Sequence, residues 1–174
     1  MNRTVLSLRP LETDDWQAVH SWGSRAEVCR YQVWGPNTVE QSKEFTRVAV
    51  AAWNADPQQR LVYAAVLDGR TVGSGELRIR DRSHGQGEIQ YIVHPDEWGK
   101  GLGTAIGTEL LNLGFTGHKL HRVNATCDPR NLASAAVLRK LGMSKEGRLR
   151  HTVRLRDGWR DSEIFGILSA EWTP

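Results

Sequence analysis

The sequence predicts a mixed α/β domain in which helices pack on a central sheet. Two observations carry that expectation. Short apolar runs bounded by turn dipeptides read as strands, and longer runs with apolar residues at helical spacing read as helices. Their order is strand, two or three helices, three strands, helix, strand, helix, two strands. Helices do not follow every strand, so the chain is not a repeating parallel unit. At 174 residues, 39% hydrophobic and 25% charged, residues 1–174 have the size of one domain with an ordinary core.

Val5, Leu6 and Leu8 open the chain as a strand that Pro10 ends. Thr13 then has the form of an N-cap, with Asp14 and Asp15 in a first turn where negative charge suits the helix dipole. That helix is expected to reach Trp22, and a second short one to occupy residues 24–32. Residues 34–37, Trp-Gly-Pro-Asn, are a loop. Thr38 with Gln41 has the spacing of a capping box, opening a helix that carries Val39, Phe45, Val48, Ala49 and Ala52 and ends near Asp56-Pro57. Residues 61–67 and 71–79 pair as a hairpin through Asp68-Gly69, and 80–87 form a polar loop. A strand over 89–93, a glycine-rich turn and a helix over 102–115 follow. Residues 122–127 are a strand broken by Asp128-Pro129-Arg130, and 131–141 a helix stopped by Gly142. Strands over 145–155 and 159–168, joined through Asp157-Gly158, close the chain.

Bulk properties narrow the class. No stretch approaches the roughly 18 apolar residues of a membrane helix, and the opening MNRTVLSLRP lacks the apolar core of a signal peptide. Two cysteines, Cys29 and Cys127, are too few for a disulfide scaffold and fit a reducing cytoplasm. The net charge of +3 is densest at Arg148, Arg150, Arg154, Arg156 and Arg160. Without a recognition motif it reads as a solvated face and counter-charge for an anionic cofactor, not as a nucleic-acid surface. His118 and His121 have no further ligands at metal-binding spacing, so no metal is expected.

The stretch GEIQYIVHPDEWGKGLGT, residues 87–104, carries the strongest signal. A strand, three glycines in five residues (Gly99, Gly101 and Gly103) and a helix N-terminus make an anion cradle, with backbone N–H groups converging on one concavity. In a P-loop the lysine follows the last glycine, whereas Lys100 precedes two of them. The spacing also fails the dinucleotide fingerprint.

With RVNATCDPRN and NLASAAVLRKLGM downstream, this stretch resembles the GCN5-related N-acetyltransferase (GNAT) superfamily. Gly101 and Gly103 match its acetyl-CoA motif, while Trp98 stands where Gln or Arg is usual. The W-G-K-G form, the opening LRPLETDDW and the ending RLRDGWRDSEIFGILSAEW resemble the RimJ/RimL-like branch. The resemblance implies the GNAT fold, a mostly antiparallel sheet splayed in the middle between residues 88–94 and 122–127. It implies acetyl-CoA as co-substrate, its pyrophosphate over the amides of Gly99, Lys100, Gly101, Leu102, Gly103 and Thr104. The pantetheine would pair along Tyr91, Ile92 and Val93, with Asn131 on that arm and Ser134 at the sulfur.

The implied reaction is direct transfer of an acetyl group to a primary amine in a ternary complex. The amine is that of a protein N-terminus, ribosomal-protein-like, or of a small molecule such as an antibiotic; a non-catalytic acyl-CoA-binding module is the alternative. Such a transfer needs a route for the amine proton, a donor for the oxyanion and a proton for the leaving thiolate. Backbone N–H groups near Ile92 or Val93 are candidates for the second and Ser134 for the third. Glu88 is a candidate base or else a carboxylate facing the Arg80/Arg82 loop, and His94, beside Pro95, is a turn residue or a proton carrier. No Asp or Glu lies between Gly147 and Arg156, where the branch can place a catalytic acid, so His151 is the substitute. Tyr31, Trp34, Trp53 and Trp159 are candidates for the acceptor wall, and the resemblance is compatible with a homodimer.

Overall fold

The computed structural model describes residues 6–173. Val5, expected in the first strand, lies outside the described residues. Seven strands form one sheet: β1 (Ser7–Pro10), β2 (Arg60–Leu67), β3 (Arg70–Asp81), β4 (Gln86–Val93), β5 (Arg122–Cys127), β6 (Ser144–Leu155) and β7 (Gly158–Leu168). The spatial order is β1-β2-β3-β4-β5-β7-β6. All neighbours are antiparallel except β4 and β5. The helices are α1 (Trp16–Gly23), α2 (Ala26–Cys29), α3 (Val39–Ala51), α4 (Leu102–Asn112) and α5 (Leu132–Lys140).

Both faces of the sheet are covered, which is why β2 reads as an unbroken apolar run. Successive side chains alternate between faces. Leu61, Tyr63 and Ala65 join the core under α4 and α5, with Leu77, Ile106, Leu110 and Leu138. Val62 and Ala64 point the other way, into a second core with Val19 and Trp22 of α1 and Ala49 of α3. At Gly75 a Cβ would sit 3.0 Å from Ile106 and 3.1 Å from Leu110, so a side chain there would push α4 off the sheet.

The capping box at α3 is formed: the Thr38 hydroxyl accepts from the Gln41 N–H at 3.2 Å, and the Gln41 side chain accepts from the Thr38 N–H at 2.9 Å. The Thr13 cap is not formed. Residues Thr13–Asp15 are a 3-10 turn. Asp15 accepts from the Glu12 N–H at 2.8 Å and takes two 2.7 Å hydrogen bonds from Arg9, so the helix begins beyond it. The second helix is only the turn Ala26–Cys29, α3 closes as a 3-10 turn over Ala52–Asn54, and α4 ends in a widened turn over Leu113–Gly117. The polar loop is shorter than expected, because β3 runs to Asp81 and β4 starts at Gln86.

The splay is present and has a simple cause. β4 is held by β3 along its whole length, and β5 is held by β7 from Arg122 to Cys127. β4 and β5 hold each other only at Gln86–Arg122, Gly87–Val123 and Glu88–Asn124. Beyond Glu88 each strand follows its antiparallel partner and the two separate. Ile89 to Val93 therefore present a free strand edge in the middle of the molecule.

Candidate active site

The glycine turn is built as an anion cradle. Gly99 and Gly101 have φ of 79° and 80°, left-handed values that favour glycine, and a Cβ at either would meet nothing within 4 Å. Gly101 is the N-cap of α4 and supplies no side-chain cap. The N–H groups of Leu102, Gly103 and Thr104 thus lack intrahelical acceptors and face outward together. Open space over unpaired donors at a positive helix end suits a pyrophosphate. Lys100 does not add a free charge, because its Nζ donates to Glu97 at 2.8 Å and to the Asp96 carbonyl at 3.1 Å. Trp98, the departure from the motif, donates its indole N–H to the Val93 carbonyl at 2.9 Å. It ties the cradle to the end of β4.

From this edge the splay opens into a cleft of about 890 Å³. Tyr91, Ile92, Asn131 and Ser134 all line it, as the sequence implied. The His94 N–H donates to Val72 of β3 at 2.8 Å, so by alternation Ile92 also bonds towards β3. The N–H groups of Tyr91 and Val93 face the open side, which removes Ile92 as an oxyanion donor and leaves the Val93 N–H, at the strand edge just beyond the cleft lining, as the candidate. Asn131 caps α5 by accepting from the Ser134 N–H at 3.1 Å. The Tyr91 hydroxyl crosses to α5 and lies 3.2 Å from Ser134 Oγ. Burial, offset in part by that hydrogen bond, pushes the phenol up to about 12. It stays protonated at neutral pH and can donate. Cys127 also lines the cleft, but burial and then the Glu163 carboxylate push its thiol up to about 11, so it is no thiolate nucleophile.

Of the acceptor-wall candidates, Tyr31 and Trp34 line the cleft. Trp53 does not: its indole donates to the Val62 carbonyl at 3.0 Å and it packs edge-on to Tyr63. Trp159 is 58% exposed and absent from the cleft lining. His151 is exposed on an irregular part of β6, its ring stacked on Trp159, and cannot replace the acid the branch places there. Glu88 is buried but held by Arg80 at 2.6 Å and does not line the cleft. His94 lines a separate small hollow beside Trp22.

The sequence reading missed the polar wall as a unit: Arg60, Glu76, Arg78 and Asp128 were not singled out, and Arg156 and Arg160 read as part of a solvated face and counter-charge for the cofactor. Arg60, Glu76, Arg78, Asp128, Arg156 and Arg160 all line the cleft. A signal existed, since polar Ser74, Glu76 and Arg78 alternate in β3 with Gly75, Leu77 and Ile79. A strand covered on both faces with one polar face must turn that face to a site. The Tyr91–Ser134 contact was not readable, because it joins a strand to a helix 43 residues away.

Comparison with known proteins agrees with this architecture. The family model "Acetyltransferase (GNAT) domain" matches residues 6–144. The uncharacterized N-acetyltransferase YnaD of Bacillus subtilis (strain 168) is 30% identical over 169 residues, 96% of this chain and 95% of that protein. The spermidine N(1)-acetyltransferase of Escherichia coli (strain K12) is 31% identical over 157 residues, 90% and 82% of the two chains. Mycobacterium smegmatis RimJ, solved in complex with CoA-disulfide, shares the fold with a TM-score of 0.87 at 24% identity, covering 98% of this chain and 85% of that one. With a family match over most of its length and a relative 30% identical along nearly all of it, the chain belongs to the GNAT acetyltransferase family and is an N-acetyltransferase.

Proposed function

We propose that the chain acts as a single domain that moves the acetyl group of acetyl-CoA directly to the α-amine of a peptide N-terminus, in a ternary complex. One observation carries this reading: the groups suited to the thioester (Tyr91, Asn131, Ser134) and the aromatic acceptor wall (Tyr31, Trp34) line one continuous cleft. The amine lone pair attacks the thioester carbonyl carbon, forming C–N. The Val93 N–H meets the developing oxyanion. As C–S breaks, the sulfur leaves with the electron pair and takes a proton from the Tyr91–Ser134 hydroxyl pair. Asn131 holds Ser134 in place through its N–H.

The proton lost by the amine needs the least help when the amine is least basic. Among the described lining residues the only carboxylates are Glu76 and Asp128, and both are held by arginines. Burial would raise Asp128, but hydrogen bonds from the Arg130 side chain and backbone hold it below the usual carboxylate range, a poor base. A peptide α-amine titrates near 8 and a lysine-like amine near 10.4. The α-amine loses its proton to solvent without a strong base, so it fits this cleft better than an alkyl amine. Glu88, tied to Arg80 outside the lining, is not assigned the base.

The test is thiol release from acetyl-CoA over a panel of peptide N-termini, small amines and spermidine, with mass spectrometry of the enzyme after acetyl-CoA alone. Turnover of an α-amine without an acetylated enzyme is expected. Binding of acetyl-CoA with no turnover on any acceptor would leave a binding module instead.

A further inference from the structure

The acceptor wall carries more cationic than anionic groups among the described residues. Arg60, Arg78, Arg156 and Arg160 line it against Glu76 and Asp128. The carboxylates are engaged. Glu76 accepts from Arg60 at 3.1 and 3.0 Å and also from Arg78. Asp128 accepts from the Arg130 side chain at 3.0 and 2.7 Å and from its N–H at 2.9 Å. One carboxylate therefore serves both Arg60 and Arg78. Arg156 meets only the Trp34 carbonyl, at 3.0 Å. Arg160 meets only neutral acceptors, the Asp161 carbonyl at 3.2 Å and the Ser162 hydroxyl at 3.1 Å. Its Nε is buried with no hydrogen-bond partner among the described residues, a state that is costly to leave unmet.

These arginines are not placed for the cofactor's phosphates. Leu61 and Leu77 pack in the core beneath α4 and α5, so the alternating Arg60, Glu76 and Arg78 point to the opposite face. Val62, paired in register with Glu76, packs on the α1 and α3 side. The glycine turn leads into α4, across the sheet.

We infer that the acceptor carries a carboxylate close to its amino group, as a peptide beginning with aspartate does. The inference rests on acetyl transfer at this cleft, as proposed above, and narrows it. Guanidinium groups bind carboxylates through paired charge-assisted hydrogen bonds. A polyamine would instead bring further positive charge against a wall in which four arginines face two carboxylates. Likeness to a spermidine acetyltransferase therefore does not extend to its substrate.

The test compares isosteric pairs that carry no free α-carboxylate: aspartate α-amide with asparagine α-amide, and Asp-initiated with Asn-initiated peptides of otherwise identical sequence and amidated C-terminus, with spermidine as the cationic arm. Thiol release gives kcat/KM, and calorimetry on CoA-saturated enzyme gives binding without turnover. The acidic member of the favoured pair is expected to exceed its amide by about tenfold or more, with spermidine below both. Which pair responds shows whether a single residue suffices or a longer peptide is needed. Arg160→Gln and Arg156→Gln should each shrink the acid-to-amide ratio to about threefold or less while leaving CoA affinity unchanged. Equal use of acid and amide, or preference for spermidine, overturns the inference and leaves acetyl transfer standing. If no amine releases thiol, the transfer reading fails, and calorimetry still decides the charge preference.

Discussion

Replacing Gly101 by valine separates the cofactor site from the fold. A non-glycine residue held at φ of 80° costs about 1–2 kcal/mol, with a β-branched side chain at the upper end. No clash adds to that, because the new Cβ meets no protein atom within 4 Å. For a chain of this length 1 kcal/mol is about 2–4 °C, so the melting temperature should fall by about 2–8 °C. The isopropyl group would project over the unpaired N–H groups at the start of α4. Losing one or two charge-assisted hydrogen bonds of about 1.5–3 kcal/mol each weakens binding at least about tenfold and up to ~10⁴-fold. Gly69 is the matched control. Its φ is 76°, a Cβ there also meets nothing, and it sits in the β2–β3 hairpin away from the cleft. Gly69→Val should show the same thermal loss with unchanged CoA affinity. Calorimetric titration with CoA beside thermal melts makes the comparison. A Gly101→Val protein that binds CoA within about threefold of the parent would refute the assignment of this turn to the pyrophosphate.

Tyr91→Phe removes the hydroxyl 3.2 Å from Ser134, and kcat should fall about 10- to 100-fold with little change in CoA binding. Ser134→Ala added to it should cost much less than a second independent loss, since the two act as a unit; additive losses in the double-mutant cycle would separate them. The pH profile of kcat/KM should rise with the neutral fraction of the acceptor amine, near 8. It should then stay level to pH 10, because Tyr91, raised to about 12, remains an acid; a falling limb near pH 9 would remove it from that role. Both raised groups, Tyr91 and Cys127, add stability that is complete below their unfolded values and is lost as pH climbs towards 11 and 12. Activity should therefore be read below pH 10. Glu76→Gln leaves Arg60 and Arg78 together in a half-buried site without their carboxylate, and should destabilise the protein by about 3 kcal/mol in urea unfolding; a loss under 1 kcal/mol would show that solvent already screens the pair.

What the sequence made legible was local. The capping box Thr38–Gln41, the Asp68-Gly69 hairpin and the Gly99-to-Thr104 turn depend on residues a few positions apart, and each is as expected. Asn131, implied as a cofactor contact, lines the cleft and also caps α5. Failures came where a distant partner decides the outcome. For Glu88 the choice between a base and a carboxylate facing the Arg80/Arg82 loop needed the structure, where Arg80 holds it. His151 was placed by its position in a strand, but an irregularity between Leu149 and Val153 breaks the alternation that fixes which way a side chain points. The wall escaped as a unit because Arg60 is on β2, Arg78 on β3, Arg156 in the turn after β6 and Arg160 on β7, and only the sheet order brings them together.

The same sheet order explains why binding and recognition are on separate parts of the chain. β4 brings the cofactor edge and runs straight into the glycine cradle, with the Trp98 indole joining cradle to strand. β7 brings Arg160 and the turn after β6 brings Arg156, and this hairpin hangs on β5, which pairs with β4 at only three register positions. Each half is held by its own antiparallel pairing, and on the reading proposed above the thioester carbonyl would lie at the line where they part. Changes in the β6–β7 hairpin or in the loop carrying Trp34 can therefore alter the charge and shape offered to the acceptor without moving the Val93 N–H or the cradle.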